Sequence, residues 1–188
     1  MTLTKGIFMR YNIFLTALLL LSTSLAGCTS EDSDENSMQA FPSFSSVGDD
    51  NETYDNARMS GSPFIVMFSA EWCNNPCYTT MFAIWDAIPE LPVLVMSTDP
   101  AENAGGLTLQ DWHESANAHD DDDETGATNI NLTTYVFMKG SEVAEALDIK
   151  SPGSLAFVTS DGDILEIHVG RLDDTAEIQK KWDAVSAA

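Results

Sequence analysis

The sequence predicts an α/β domain, a central and mostly parallel sheet with a C-terminal antiparallel hairpin and helices on both faces. Three observations carry this expectation. Residues 64–68 and 93–96 are short, continuous apolar runs, as expected of strands buried on both faces. Segments with apolar residues at helical spacing lie between the strands, as crossover connections require. Asp161-Gly162 separates two β-rich runs near the end of the chain, a strong hairpin signal.

Taken in order, the folded part begins near Phe41. Residues 51–60 predict a helix, with Gly61 placed to stop it and Pro63 just beyond. The strand at 64–68 follows. Met81, Ile84, Trp85 and Ile88 then fall at i, i+3, i+4 and i+7, an amphipathic helix ended by Pro89. After the strand at 93–96, Thr108 caps a helix with Leu109, Trp112 and Ala116 on one face. Residues 134–138 are β-rich, and Ser141 caps a short helix with Val143, Ala146 and Leu147 inward. Residues 155–159 and 164–169 pair across the Asp161-Gly162 turn. Leu165, Ile167 and Val169 are expected on one side of that hairpin, and Glu166 and His168 on the other. Asp174 and Glu177 open a last helix carrying Ile178, Trp182 and Val185.

Composition limits the function. The chain has 188 residues, enough for one well-buried domain, and 44% apolar with 9% aromatic residues excludes general disorder. Thirty acidic residues against eight basic ones give a net charge of −22, which argues against nucleic acid as a partner, since phosphate binding needs clustered Lys and Arg. Such a surface suits high salt or a cationic partner, and reads most simply as a soluble acidic surface.

The N-terminus reads as a targeting segment. Lys5 and Arg10 precede the apolar residues 13–21, and Met9 offers a second start that keeps the same signal. Leu25-Ala26-Gly27-Cys28 resembles the lipobox of prokaryotic lipoproteins. That resemblance implies lipidation of Cys28, which becomes the new N-terminus, and a membrane contact through the lipid anchor. An uncleaved anchor helix is the alternative, but residues 13–26 fall short of the roughly 20 that span a bilayer. The expected organisation is therefore a lipoprotein signal peptide at 1–27, a lipidated cysteine with a flexible acidic tether at 28–40, and one domain at 41–188. With Cys28 so used, Cys73 and Cys77 remain as a pair in a compartment where disulfides persist.

The pair has a chemical setting. The strand at 64–68 runs into Ser69-Ala70-Glu71-Trp72-Cys73-Asn74-Asn75-Pro76-Cys77 and then into a helix. A thiol at a helix N-terminus meets the positive end of the dipole and unpaired N–H groups, which favour the thiolate that attacks disulfides. A second thiol one turn on can resolve the mixed disulfide. Cysteines four apart on a helix have Cα atoms about 6 Å apart, within disulfide range.

On Ala70-Glu71-Trp72-Cys73 and Pro76-Cys77 the sequence resembles the thioredoxin superfamily, and the element order most resembles its membrane-anchored thiol–disulfide oxidoreductases. The resemblance implies a thioredoxin-like fold, Cys73 as the attacking thiol and Cys77 as the resolving one. It implies a redox disulfide between them, Trp72 beside the nucleophile, and Pro152 as a cis-proline facing the site and shaping the substrate groove. No cofactor is implied, because the electrons reside in the cysteines. The implied partners are other exported thiol and disulfide proteins, met at the cell membrane, outside or in the periplasm. Three features depart from the family pattern. Three residues rather than two separate the cysteines, Met67 stands where many members hold a buried acid, and Gly153 lengthens the segment after Pro152.

Two other readings of the pair stay open: a purely structural disulfide, and metal binding. Sco-like copper carriers share the fold and the three-residue spacing, but add a histidine near the proline, where this chain has Lys150-Ser151-Pro152-Gly153. His113, His119 and His168 are all expected at the surface, and no metal site is assigned. Asp120, Asp121, Asp122, Asp123 and Glu124 form an acidic loop that fails the calcium-loop pattern, since Leu132 falls where the closing Glu belongs. Asn51-Glu52-Thr53 and Asn131-Leu132-Thr133 match glycosylation acceptors. Trp85 is expected in the core.

Overall fold

The computed structural model describes residues 38–119 and 132–188. Cys28, the segment 1–27, residues 28–37 of the tether, the acidic loop and Asn131 lie outside the described residues. The strands are β1 (Gln39–Ala40), β2 (Ser45–Val47), β3 (Thr53–Asp55), β4 (Phe64–Ser69), β5 (Val93–Ser97), β6 (Tyr135–Lys139), β7 (Ser154–Val158) and β8 (Asp163–His168). The helices are α1 (Asn56–Met59), α2 (Asn75–Ala87), α3 (Leu109–Asn117), α4 (Ser141–Ala146) and α5 (Thr175–Ser186). None of them is long and apolar enough to cross a membrane.

One six-stranded sheet runs in the order β1-β8-β7-β4-β5-β6, and β2 and β3 form a separate antiparallel hairpin. The sheet is more mixed than expected: β4–β5 and β5–β6 are parallel, whereas β4–β7, β7–β8 and β1–β8 are antiparallel. The reason is connectivity. β7 reaches the sheet from α4 without a crossover helix long enough to bring it in parallel, and it enters beside β4 from the opposite end.

β4 is central, and all six of its residues are buried. Its alternation sorts the core into two layers. Ile65 and Met67, with Val95, Leu155 and Phe157 from neighbouring strands, pack under Met81 and Ile84 of α2, Trp112 of α3 and Ile178 of α5. Val66 and Phe68, with Leu94, Met96 and Val158, pack against Phe41, Tyr54 and Val143 of α4. Each fully buried side chain of this size contributes roughly 1.5–3 kcal/mol. Thr108 caps α3 in a full capping box with Asp111, and Asp174 accepts from the Ala176 and Glu177 amides at the start of α5.

Several local expectations are corrected. The helix expected at 51–60 shrinks to α1, because Tyr54 is drawn into β3 opposite Ser46 and only Asp55 then caps a single turn. Gly140, not Ser141, holds the N-cap position of α4; a Cβ there would lie 2.5 Å from Met96 Cβ, so glycine lets β6 close onto β5 before the helix starts. The expected alternation along β8 fails at a bulge opposite Phe157 and Val158, which leaves Leu165 exposed while Ile167 packs on the core.

The outer edge of β6 is occupied by a single residue. Asp49 donates its amide to the Phe137 carbonyl at 2.9 Å, and its carboxylate accepts the Phe137 amide at 2.8 Å. The other carboxylate oxygen contacts His113 Nδ1 at 2.6 Å. His113 Nε2 faces the Leu132 carbonyl at 3.1 Å, and the ring stacks on Phe137. His113 is therefore not a surface residue. Its helix face is polar in sequence, but it is covered by the chain between β2 and β3.

Candidate functional site

β4 ends at Ser69, and the chain turns at once. The Cys73 amide bonds the Ala70 carbonyl at 2.9 Å, so Glu71 and Trp72 occupy the corners of a tight turn. They diverge in solvent contact. Trp72 is 58% exposed, whereas Glu71 is buried. Cys73 follows at 7% exposure, and Cys77 is wholly enclosed.

The structure joins Cys73 and Cys77 in a disulfide, with Cα atoms 5.8 Å apart. Only Cys77 belongs to α2. Cys73 lies just ahead of Asn74, whose irregular backbone (φ −77°, ψ −106°) forms the N-cap, and Pro76 fills the first turn. The additional residue of the three-residue spacing is thus absorbed at the helix entrance rather than inside the helix. Asn74 makes no side-chain cap bond, while its carbonyl accepts from the Cys77 and Tyr78 amides. A thirteen-residue helix consequently directs its positive end toward Cys73.

Beneath the turn lies a polar cluster that sequence reasoning missed. One oxygen of Glu71 accepts from Ser97 Oγ at 2.6 Å, and the other accepts from Lys139 Nζ. Ser97 Oγ also accepts the Asp99 amide at 3.2 Å, and Lys139 Nζ reaches the Asp99 carbonyl at 3.5 Å. The ends of the parallel strands β5 and β6, and the turn after β4, supply the three side chains. An acid two residues beyond a buried strand was the one signal in the sequence.

Pro152 sits in the turn that leads into β7, at the same end of the sheet. The Gly153 amide donates to the Phe68 carbonyl at 2.7 Å, which ties this turn to the end of β4. The expected cis bond is absent: no peptide bond among the described residues is cis. Gly153, at φ +93°, supplies the change of chain direction with a trans Ser151–Pro152 bond. Ser154 Oγ donates to the Ser151 carbonyl and accepts the Gly170 amide, so the loop after β8 borders the same turn.

Met67 is fully buried in the layer that holds both cysteines. Tyr78, next to Cys77, has its phenol pushed up by burial. His119, expected at the surface, is half-buried, stacked on Phe82 and tilted against Tyr78. His168 is also only partly exposed, with Nε2 3.3 Å from the Arg171 carbonyl. The described residues contain no group of three or more His, Cys, Asp or Glu side chains arranged to hold a metal ion.

A central mixed sheet with the cysteine turn at the head of its first long helix defines a thioredoxin-like fold, and solved structures agree. A putative electron transfer protein from Aquifex aeolicus VF5 superimposes with a TM-score of 0.59 at 14% identity, over 80% of this chain and 98% of that one. The pneumococcal exposed lipoprotein thioredoxin from Streptococcus pneumoniae gives 0.54 at 16% identity, over 76% and 99%. BsSco, a member of the Sco family of cytochrome c oxidase assembly proteins, gives 0.58 at 16% identity, over 79% and 94%. No family model matches the sequence, and no curated protein matches it.

Proposed function

We propose that this protein exchanges disulfides with other exported proteins through Cys73 and Cys77, tethered to the membrane by a lipid on Cys28. One observation carries the reading: the two cysteines differ in placement, with Cys73 ahead of α2 and retaining 7% exposure while Cys77, inside the helix, has none. That asymmetry suits an attacking thiol and a resolving thiol. The likeness to an exposed lipoprotein thioredoxin and to a thiol:disulfide interchange protein from Chlorobium tepidum supports it.

In the reducing direction, the Cys73 thiolate attacks a partner disulfide. A mixed disulfide forms, and one partner sulfur leaves as a thiolate that takes up a proton. Cys77 then loses its proton and attacks Cys73 Sγ, closing the intramolecular disulfide and releasing the second partner thiol. Two electrons and two protons pass to the partner; the reverse sequence oxidises it. Trp72 offers an apolar contact beside Cys73, and Pro152 stands at the same end of the sheet. No cofactor enters the cycle.

The test is a trap. Cys77→Ser removes the resolving step, so the full chain is expected to accumulate mixed disulfides through Cys73 that migrate as larger species until a reductant is added. Failure to trap any species across neutral and alkaline pH would sink the proposal. The three-residue spacing and the likeness to BsSco support a second reading, a copper carrier. Stoichiometric Cu(I) binding lost in Cys73→Ser, with no exchange activity, would put that reading in place of the first.

A further inference from the structure

A carboxylate with no exposed surface requires partners on both oxygens, and Glu71 has them in Ser97 and Lys139. The exchange steps use neither charge. Stability alone is a weak reason for the pair, because a buried ion pair often contributes no more than apolar residues of the same volume. Its position is more informative. Glu71 occupies the first corner of the turn that ends at Cys73, and its partners stand at the ends of the two strands that flank this turn on one side.

Opposite charges in contact largely cancel at a distance, while either one alone acts strongly across a poorly solvated interior. We propose that Glu71 and Lys139 are positioning residues that anchor the Cys73 turn and neutralise one another beneath it. The N-terminus of α2 is thereby left as the main field acting on the Cys73 thiolate. This inference rests on Cys73 being the reactive thiol, as proposed above.

Removing one member of the pair therefore leaves a charge whose sign decides the outcome. In Glu71→Gln the side-chain oxygen still accepts from Ser97, but the Lys139 ammonium is unbalanced and favours the thiolate. Alkylation of Cys73 by iodoacetamide at neutral pH, followed by mass spectrometry of its peptide in the reduced full chain, is expected to be roughly 3–10-fold faster. The Cys73–Cys77 couple should also become more oxidising against glutathione. In Lys139→Met the unbalanced carboxylate is expected to slow alkylation by a similar factor and make the couple more reducing. The double variant Glu71→Gln/Lys139→Met should fall between the two.

Shifts of both single variants in the same direction, or no shift in either, would overturn the proposal, since loss of packing has no sign. If Glu71→Gln does not fold, Lys139→Met compared with the double variant carries the same test: the single must be slower. Alkylation and glutathione equilibration need no protein partner. Opposite shifts can thus hold even if Cys77→Ser traps nothing, and trapping can succeed where the shifts fail.

Discussion

Single residues set the chemistry here by where they are held. Trp72 and Glu71 are neighbours in sequence, yet one faces solvent and the other is enclosed, because the Ala70–Cys73 turn directs consecutive side chains apart. Tyr135 is a second case. It is nearly inaccessible, donates its hydroxyl to the Met81 carbonyl at 3.0 Å, and burial pushes its phenol far above the ordinary 10.0. Its neutral form contributes stability fully below the unfolded value of about 10, and that contribution falls as pH rises beyond it, because only the unfolded chain can ionise there. Ultraviolet titration should show Tyr135 ionising together with the loss of circular dichroism. Tyr135→Phe should remove that step from the titration. Ionisation of every tyrosine while the protein remains folded would contradict this account. The cysteine pair and Trp72 were legible in the sequence because strand, turn and helix adjoin there. Glu71–Lys139 and Asp49–His113 were not, since their members lie 68 and 64 positions apart and no local pattern names the partner.

At the scale of elements, continuous apolar runs and helical spacing located β4, β5, α2, α3 and α5 well, because each buries a regular face. Local pattern failed where tertiary contacts overrode it. Tyr54 left a helical context for a strand, and the bulge in β8 reversed the side-chain direction that strict alternation implies. The trans Ser151–Pro152 bond belongs here too, since the left-handed Gly153 performs the turn. α5 closes the cysteine-bearing layer by packing on α2 through Ile178, which is fully buried. Lys181 links it to β8, bonded by Glu166 and held above its ordinary range chiefly by that hydrogen bond, with Glu177 adding to it. Ile178→Ala is expected to cost about 2–5 kcal/mol in urea unfolding, through lost contacts and the cavity left behind. A loss under about 1 kcal/mol would mean that α5 is not an integral part of the core.

The whole molecule carries a net charge of −22, and self-repulsion of that size opposes compaction. Salt screens it over a Debye length of about 10 Å at 0.1 M and about 3 Å at 1 M. The midpoint of thermal unfolding is therefore expected to rise as sodium chloride is raised from about 0.01 M to about 1 M. A flat or falling midpoint would show that the acidic groups are already locally balanced. The same molecule also has two sheet margins, closed to different extents: β1 pairs only with Asp163 and Ile164, and residues 165–168 of β8 extend beyond it. β1 is only two residues long, and Asp49 uses its amide and its carboxylate on the one segment of β6 that would otherwise invite another strand. At the β6 margin another polypeptide, a second copy of this chain included, consequently finds little backbone to anneal along. Closing the β6 rim with one loop residue, without adding a strand, keeps that side of the sheet from becoming a seed for aggregation.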